Sequence, residues 1–525
     1  MGNFKPYAFS FLGGILYALG FPSALGKSLL VTPILGMAIL LYYLFAEKGL
    51  KAKAGLILSF SLSFNLVGFY WIADTLAEFG QLPYFAALLL SLLFTFIIAP
   101  YLWALLPIVH FGLQSPQMEK KRALYPALFA LAIAALFTFI EYFTPQQFPA
   151  MIGQPWAAVG RHLGFANIGG IPIYSFFSFL IIMEIVHAIG LKRFSKFNIF
   201  VILVFIFSNP FARLDNPPED KEKLNMRLVQ ANISNFLKVD SESGAYASVS
   251  QVLERYKKLS LQPYPHGELH LIIWPETAYP FAIESNKSDF AKTEIPSIFQ
   301  DIALEHQSAL FIGGYDTVQG GQGYYQSEYN SNFHINKKAE LEDVYHKHIL
   351  IPFGETLPFG PFNETFSKYL DNISFFSEGK RFPLFKTHTG HTFINTICYE
   401  ILKPEFVRKY VNQQKERPRA IINLTNDSWY GDTSEPEQHL FLASWRALEL
   451  DLPIIRSTNT GISSYINTYG EEIERLGVGV TGNLDISVEL GTRYPTLYQR
   501  FGFWVLLPLW FALFIFHLIL IKLKR

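Results

Sequence analysis

A single cysteine, Cys398, stands among 525 residues, and that scarcity excludes an intramolecular disulfide. Charge is scarce as well. Only 16% of residues are charged, and 43 Lys and Arg against 43 Asp and Glu leave a formal net charge of zero, so no polyanionic partner is announced and no basic patch for nucleic acid stands out. Internal repeats and low-complexity tracts are missing too. What is plentiful is apolar: 50% of residues are hydrophobic and 16% aromatic, a departure from ordinary soluble chains. The excess lies in the first 210 residues and the last 25, whereas the middle reads as a globular domain. The composition therefore predicts a membrane protein carrying one large soluble domain.

Apolar stretches long enough to cross a hydrocarbon core of about 30 Å fall at roughly 7–23, 28–46, 54–73, 83–110, 123–143, 171–191, 197–212 and 503–521. Eight helices are expected, seven before the soluble domain and one after it. Lys5, Lys48, Lys51, Lys53, Lys120, Lys121, Arg122, Lys192, Arg193, Lys196, Lys522, Lys524 and Arg525 all fall on one side if these helices alternate. The opposite loops hold Asp74, Glu78 and only Lys27. By the positive-inside rule both termini face the cytoplasm and the soluble domain lies outside. The first apolar run is longer than a signal-peptide core and feeds directly into the second, so it reads as a retained helix. The expected organisation is residues 1–214 for helices one to seven, 215–495 for the soluble domain, and 496–525 for the last helix and a basic tail, with the boundary in "RLDNPPEDKEK" at 213–223. Glu184 and His187, three apart in the sixth segment, are expected to hydrogen-bond each other inside the bundle.

In the middle, short apolar runs end in polar clusters: "MRLVQANI", "LHLIIWPE", "ALFIGGYD", "VYHKHILIPFGE", "TFINTICYE", "RAIINLTNDSW" and "LPIIRSTNTG". Such runs suit strands buried on both faces in an α/β domain, with ligands at their ends. Three ends carry groups suited to acyl transfer, which needs a nucleophile, a base and a cationic or N–H-rich pocket for the oxyanion. They present Glu276, Lys347 with Glu355, and Cys398 with Glu400. Each has a bland alternative: a turn Glu, a solvated Lys, a core Cys. His346 and His348 share a strand face, but without a third ligand they do not make a metal site. A soluble-amide hydrolase tethered by its helices and a transporter with a ligand-binding domain remain open readings at this point.

Together these runs resemble the nitrilase superfamily and, within it, the apolipoprotein N-acyltransferases of bacterial envelopes. The resemblance is carried by "LVQANI" at 228–233, "WPETAYP" at 274–280, "YHKHILIPFGETLPF" at 345–359, "ICYEI" at 397–401, "NLTNDSWYG" at 423–431, "QHL" at 438–440, "RALEL" at 446–450 and "RSTNTGIS" at 456–463. It implies a multi-pass helical membrane domain joined to an αββα sandwich. It also implies Glu276 as general base, Lys347 as oxyanion stabiliser and Cys398 as the nucleophile that becomes a thioester, with Glu355, Tyr399 and Glu400 in support. The Tyr399 N–H is the natural second oxyanion donor, and Trp429 is an acyl-chain contact or a core residue. One departure stands out: Lys238 is followed by Val239 where relatives commonly have Lys-Trp. The implied donor is a phospholipid and the acceptor a diacylglyceryl-cysteine apolipoprotein. The protein is expected to be a monomer in the inner membrane with its catalytic domain in the periplasm, and to need no metal or organic cofactor.

Overall fold

The computed structural model describes residues 4–79, 82–213, 219–286, 288–317, 328–352, 354–357, 360, 363 and 376–523. The expected boundary at 214/215, Lys524 and Arg525 of the tail, and Phe353, Pro358 and Phe359 of the "PFGETLPF" run lie outside the described residues.

Each apolar segment forms helix, but not always one helix. The first two give Lys5–Ala18 and Val31–Ala46. The third ends early, as Leu50–Gly68, and restarts as Trp71–Phe79. Its break is held from the other domain, because the Gln438 Nε2 donates to the free carbonyl of Gly68 at 2.6 Å and satisfies what the helix end leaves open. The fourth is broken further, into Tyr84–Ser91, a 3₁₀ turn Leu92–Phe96, Pro100–Pro107 and a π turn Ile108–Leu113, with a 44° bend. Pro100 has no N–H and suits the first turn of a new helix rather than the middle of an old one. Pro126–Phe143, Ala166–Leu191, Lys196–Ser208 and Leu506–Leu523 follow. Among the described residues four helices are long and apolar enough to cross a membrane, five if the bent pair counts as one span. The expectation of eight full spans is therefore not met by helix length alone, since Lys5–Ala18, Val31–Ala46 and Lys196–Ser208 are short.

Glu184 does not bond His187. It accepts from the backbone N–H of Ser195 at 2.8 Å and from Asn198 Nδ2 at 2.6 Å, so it ties down the start of the next helix, where N–H groups are otherwise unsatisfied. His187 packs against the Phe129 ring instead.

The polar region is a sandwich of two sheets. Its first sheet contains β1 (Glu219–Gln230), β2 (Leu271–Trp274), β3 (Ala282–Ile283), β4 (Ala309–Thr317), β5 (Glu328–Ile335), β6 (Leu341–His346) and β13 (Gly482–Thr492), in the order β13-β1-β2-β4-β5-β6 with β3 beside β4. The second contains β7 (Phe385–Lys386), β8 (Thr392–Ile397), β9 (Ala420–Thr425), β10 (Ile454–Thr458), β11 (Ser463–Ile466) and β12 (Glu472–Leu476), in the order β12-β11-β10-β9-β8-β7. The period-two alternation of strand side chains sorts the layers. Leu271 and Ile273 of β2 join the core shared with Phe393 and Ile394 of the second sheet. Their neighbours Ile272 and Trp274 pack with Val252, Tyr256 and Phe299 of the helices Tyr246–Ser260 and Ser297–His306. The helices Pro404–Gln413 and Glu435–Leu450 cover the outer face of the second sheet. Pairings β1–β2, β2–β4, β8–β9 and β9–β10 are parallel, which brings their C-terminal ends to one edge of each sheet, the edge where α/β folds present chemistry.

Candidate active site

Glu276 follows β2, Lys347 follows β6 and Cys398 follows β8. The first two touch. Lys347 Nζ donates to Glu276 Oε1 at 3.0 Å and to Glu355 Oε1 at 2.8 Å, with its side chain only 1% exposed. Asn330 on β5 donates one amide to the same two oxygens, each at 2.8 Å. The second oxygen of each carboxylate is also engaged, Glu276 Oε2 by the Asn426 N–H at 2.8 Å and Glu355 Oε2 by the Ile351 N–H at 2.9 Å. Burial pushes Lys347 toward losing its proton, but the Glu276 and Glu355 carboxylates prevail and hold its ammonium well above the ordinary lysine range.

Cys398 takes φ of +52°, a left-handed backbone that costs a non-glycine residue free energy and that clusters at functional positions. The strand ends there and a 3₁₀ turn, Cys398–Leu402, begins. Thr277, next to Glu276, shares the feature at φ +48°, rarer still for a β-branched residue. Close approach is made possible by Gly313 of β4, where a Cβ would lie 2.1 Å from the Pro275 carbonyl oxygen and 2.8 Å from Glu276 Cα. The thiol is buried; that burial, then the Glu276 charge, raises its pKa well above the free value, while Lys347 opposes them. A resting thiol of this kind is protonated and needs a base.

Because the strand stops at Ile397, Glu400 does not share the strand face of the thiol. It turns back, accepting from the Ile397 N–H at 2.7 Å, the His348 and Ile349 N–H groups at 2.6 and 3.1 Å, and the Tyr345 hydroxyl at 2.7 Å. The carboxylate thus staples the turn bearing Cys398 to the loop bearing Lys347. Its burial raises the acid to about 7 against the pull of those donors. Glu400→Gln turns an amide N–H₂ against a donor and is expected to cost about 1–3 kcal/mol of stability, read as a lowered midpoint of thermal unfolding.

The Tyr399 hydroxyl donates to Glu435, and its ring stacks on His439 at 4.6 Å, 8° from parallel. Trp429 is half-buried against the apolar core. Lys238 reaches Thr277 Oγ1 at 2.8 Å and the Thr277 carbonyl at 3.0 Å, fastening the helix Asn235–Glu242 to the residue after Glu276, while Val239 points out, more than half exposed. Asn330, Asn423, Asp427, Glu435, His439 and Arg456 were given no role by the sequence. His346 and His348 do not pair on a metal: His346 Nε2 bonds Asp316 Oδ2 at 2.6 Å and His348 Nδ1 meets the Tyr345 hydroxyl at 3.2 Å. Among the described residues Asp427, Glu435 and His439 bring ligand atoms within 4.8 Å of one another. Asp427 is already paired with Arg456 at 3.0 Å and Glu435 with Tyr399.

The site rests on the helical part of the chain. Phe148 meets the Tyr399 ring edge-on at 5.0 Å. Lys403 Nζ donates to the carbonyls of Gln146 and Gln147 at 2.6 and 2.9 Å. Trp71 Nε1 donates to Gln438 Oε1 at 3.1 Å, and Gln438 Nε2 in turn reaches the Pro22 carbonyl at 2.6 Å.

Residues 226–482 match the carbon-nitrogen hydrolase family and residues 13–183 the apolipoprotein N-acyltransferase N-terminal domain. A carbon-nitrogen hydrolase domain joined to an apolar helical bundle is the class that these matches and the fold define. The chain belongs to the apolipoprotein N-acyltransferase family. It is 31% identical to the Agrobacterium fabrum apolipoprotein N-acyltransferase, over 67% of each chain. It is 27% identical to that of Haemophilus ducreyi over 88% of this chain and 86% of the relative. Among solved structures, Saccharomyces cerevisiae Nit3, a member of branch 10 of the nitrilase superfamily, is 18% identical, with 51% of this chain and 90% of that one covered at a TM-score of 0.34.

Proposed function

We propose that this protein transfers a fatty acyl chain from a membrane phospholipid to the N-terminal amine of a diacylglyceryl-cysteine apolipoprotein, through a thioester on Cys398. The observation that carries the reading is a buried Glu276–Lys347 ion pair whose loop is tied through the His348 N–H to Glu400, two residues beyond the chain's single thiol, in a turn packed against residues of the helical bundle. Glu276 takes the thiol proton, the sulfur attacks the ester carbonyl, and Lys347 with the Tyr399 N–H stabilises the oxyanion. The C–O bond then breaks, Glu276 returns the proton to the departing lysophospholipid oxygen, and the acyl thioester remains. In the second half the lipoprotein amine attacks that thioester, the C–N bond forms, the C–S bond breaks, and the amine proton passes by way of Glu276 to the sulfur. This is ping-pong chemistry.

The apolar helices lie in the inner membrane in this reading, with shorter ones completing the eight spans, the termini cytoplasmic and the sandwich periplasmic. The protein acts as a monomer, and Trp429 lines the acyl path. Purified protein incubated with phospholipid alone is expected to release lysophospholipid and to carry one hydroxylamine-sensitive acyl group on Cys398. Hydrolysis of a soluble amide without any such adduct would instead support a tethered amidase. Reporter fusions placed after residue 215 are expected to give an external signal, and a cytoplasmic one would overturn the orientation.

A further inference from the structure

The Cys398–Tyr399 peptide unit is gripped from behind. Asn423, on β9 and fully buried, donates its Nδ2 to the Cys398 carbonyl oxygen at 3.3 Å and to the Thr396 carbonyl and hydroxyl at 3.2 and 3.1 Å. Its Oδ1 accepts from Arg456 Nη1 at 2.6 Å, which fixes which end of the amide faces the carbonyl. Arg456, itself fully buried, uses its other nitrogen on Asp427 Oδ2 at 3.0 Å. Asp427 lies 3.6 Å from His439 Nδ1, and His439 carries the stacked Tyr399 ring. Two arms from one guanidinium thus end on the two residues of the same peptide unit, one at its carbonyl and one at the Tyr399 side chain.

A trans peptide is planar, with C=O and N–H pointing in opposite directions, so pinning the carbonyl aims the N–H. The Tyr399 N–H belongs to the opening of a 3₁₀ turn, where N–H groups have no acceptor within the turn. We propose that Asn423, held by Arg456, is a positioning residue that aims the Tyr399 N–H at the developing oxyanion. The inference rests on Cys398 being the acyl carrier and goes beyond it in naming what fixes the second oxyanion donor. The left-handed backbone of Cys398 is a costly conformation that persists only where its surroundings hold it, and the Asn423 contact at its carbonyl is one of the bonds that do so.

The test uses full-length protein in detergent with phospholipid as donor, comparing wild type with Asn423→Asp and Asn423→Ala. Asn423→Asp keeps an acceptor for Arg456 and replaces the donor facing the Cys398 carbonyl with a second acceptor. Both variants are expected to form the Cys398 thioester with the limiting single-turnover acylation rate lowered about 10²-fold to 10³-fold, the loss typical of one oxyanion donor, and with the phospholipid concentration giving half that rate within about threefold of wild type. Alkylation of Cys398 by iodoacetamide develops no oxyanion, so its rate in folded variant is expected to stay within about twofold of wild type. A wild-type acylation rate in both variants overturns the proposal. So does a loss shared equally by acylation and alkylation, which marks a merely structural Asn423. Full activity of Cys398→Ala would be a different result, one that removes the acyl-carrier reading itself.

Discussion

Cys398→Ala is expected to abolish the acyl-enzyme and lower overall transfer by on the order of 10⁴-fold or more, the scale seen when a covalent nucleophile is removed. The fold is expected to survive. Alanine meets nearly the same backbone penalty at φ +52° as cysteine does, and the lost sulfur leaves a small cavity worth about 1 kcal/mol. Cys398→Ser sharpens the result. A hydroxyl is smaller than the thiol and a far weaker acid, so Glu276 cannot activate it to the same extent. Both variants should unfold within a few degrees of wild type while neither takes up acyl label from phospholipid. A folded Cys398→Ala that still transfers acyl chains at the wild-type rate excludes the thioester route.

The strands of the α/β domain were legible because they are short, apolar on both faces and closed by polar clusters that follow them directly in sequence, while their pairing into a sandwich was implied by the family resemblance. "LIIW" before Glu276 and "TFINTI" before Cys398 each form the strand that their composition announces. What remained hidden is long-range. Asn330 touches both Glu276 and Glu355 from a strand whose sequence, "EYNSNFHI", gives no local sign of it. Arg456 and Asn423 sit inside runs that look like plain core strand, and their value appears only when β9 and β10 pair with β8. The partners of Glu400 were hidden for a local reason: the left-handed turn at Cys398 ends the strand, so the acid turns back to the Ile397 N–H. The breaks inside the helical segments were hidden in a related way. Hydropathy measures the length of an apolar run, whereas Pro100 and the Gln438 contact at Gly68 decide where the backbone breaks within it.

Lys347→Met is expected to remove activity and stability together, and the two losses can be separated. The ammonium is the shared cation of two buried carboxylates, at 3.0 Å from Glu276 and 2.8 Å from Glu355. Taking it away strands like charges around one Asn330 amide. Breaking such a buried pair costs about 3–5 kcal/mol, because two carboxylates are left together without their cation. Acylation falls through lost oxyanion stabilisation, about 10²-fold to 10³-fold. Adding Glu355→Gln to Lys347→Met removes one of the stranded charges while keeping the shape of the side chain. The double variant is expected to recover a good part of the lost unfolding temperature and none of the acylation rate. If stability and rate recovered in step, Lys347 would be a structural counter-ion; recovery of stability alone assigns its charge to the transition state.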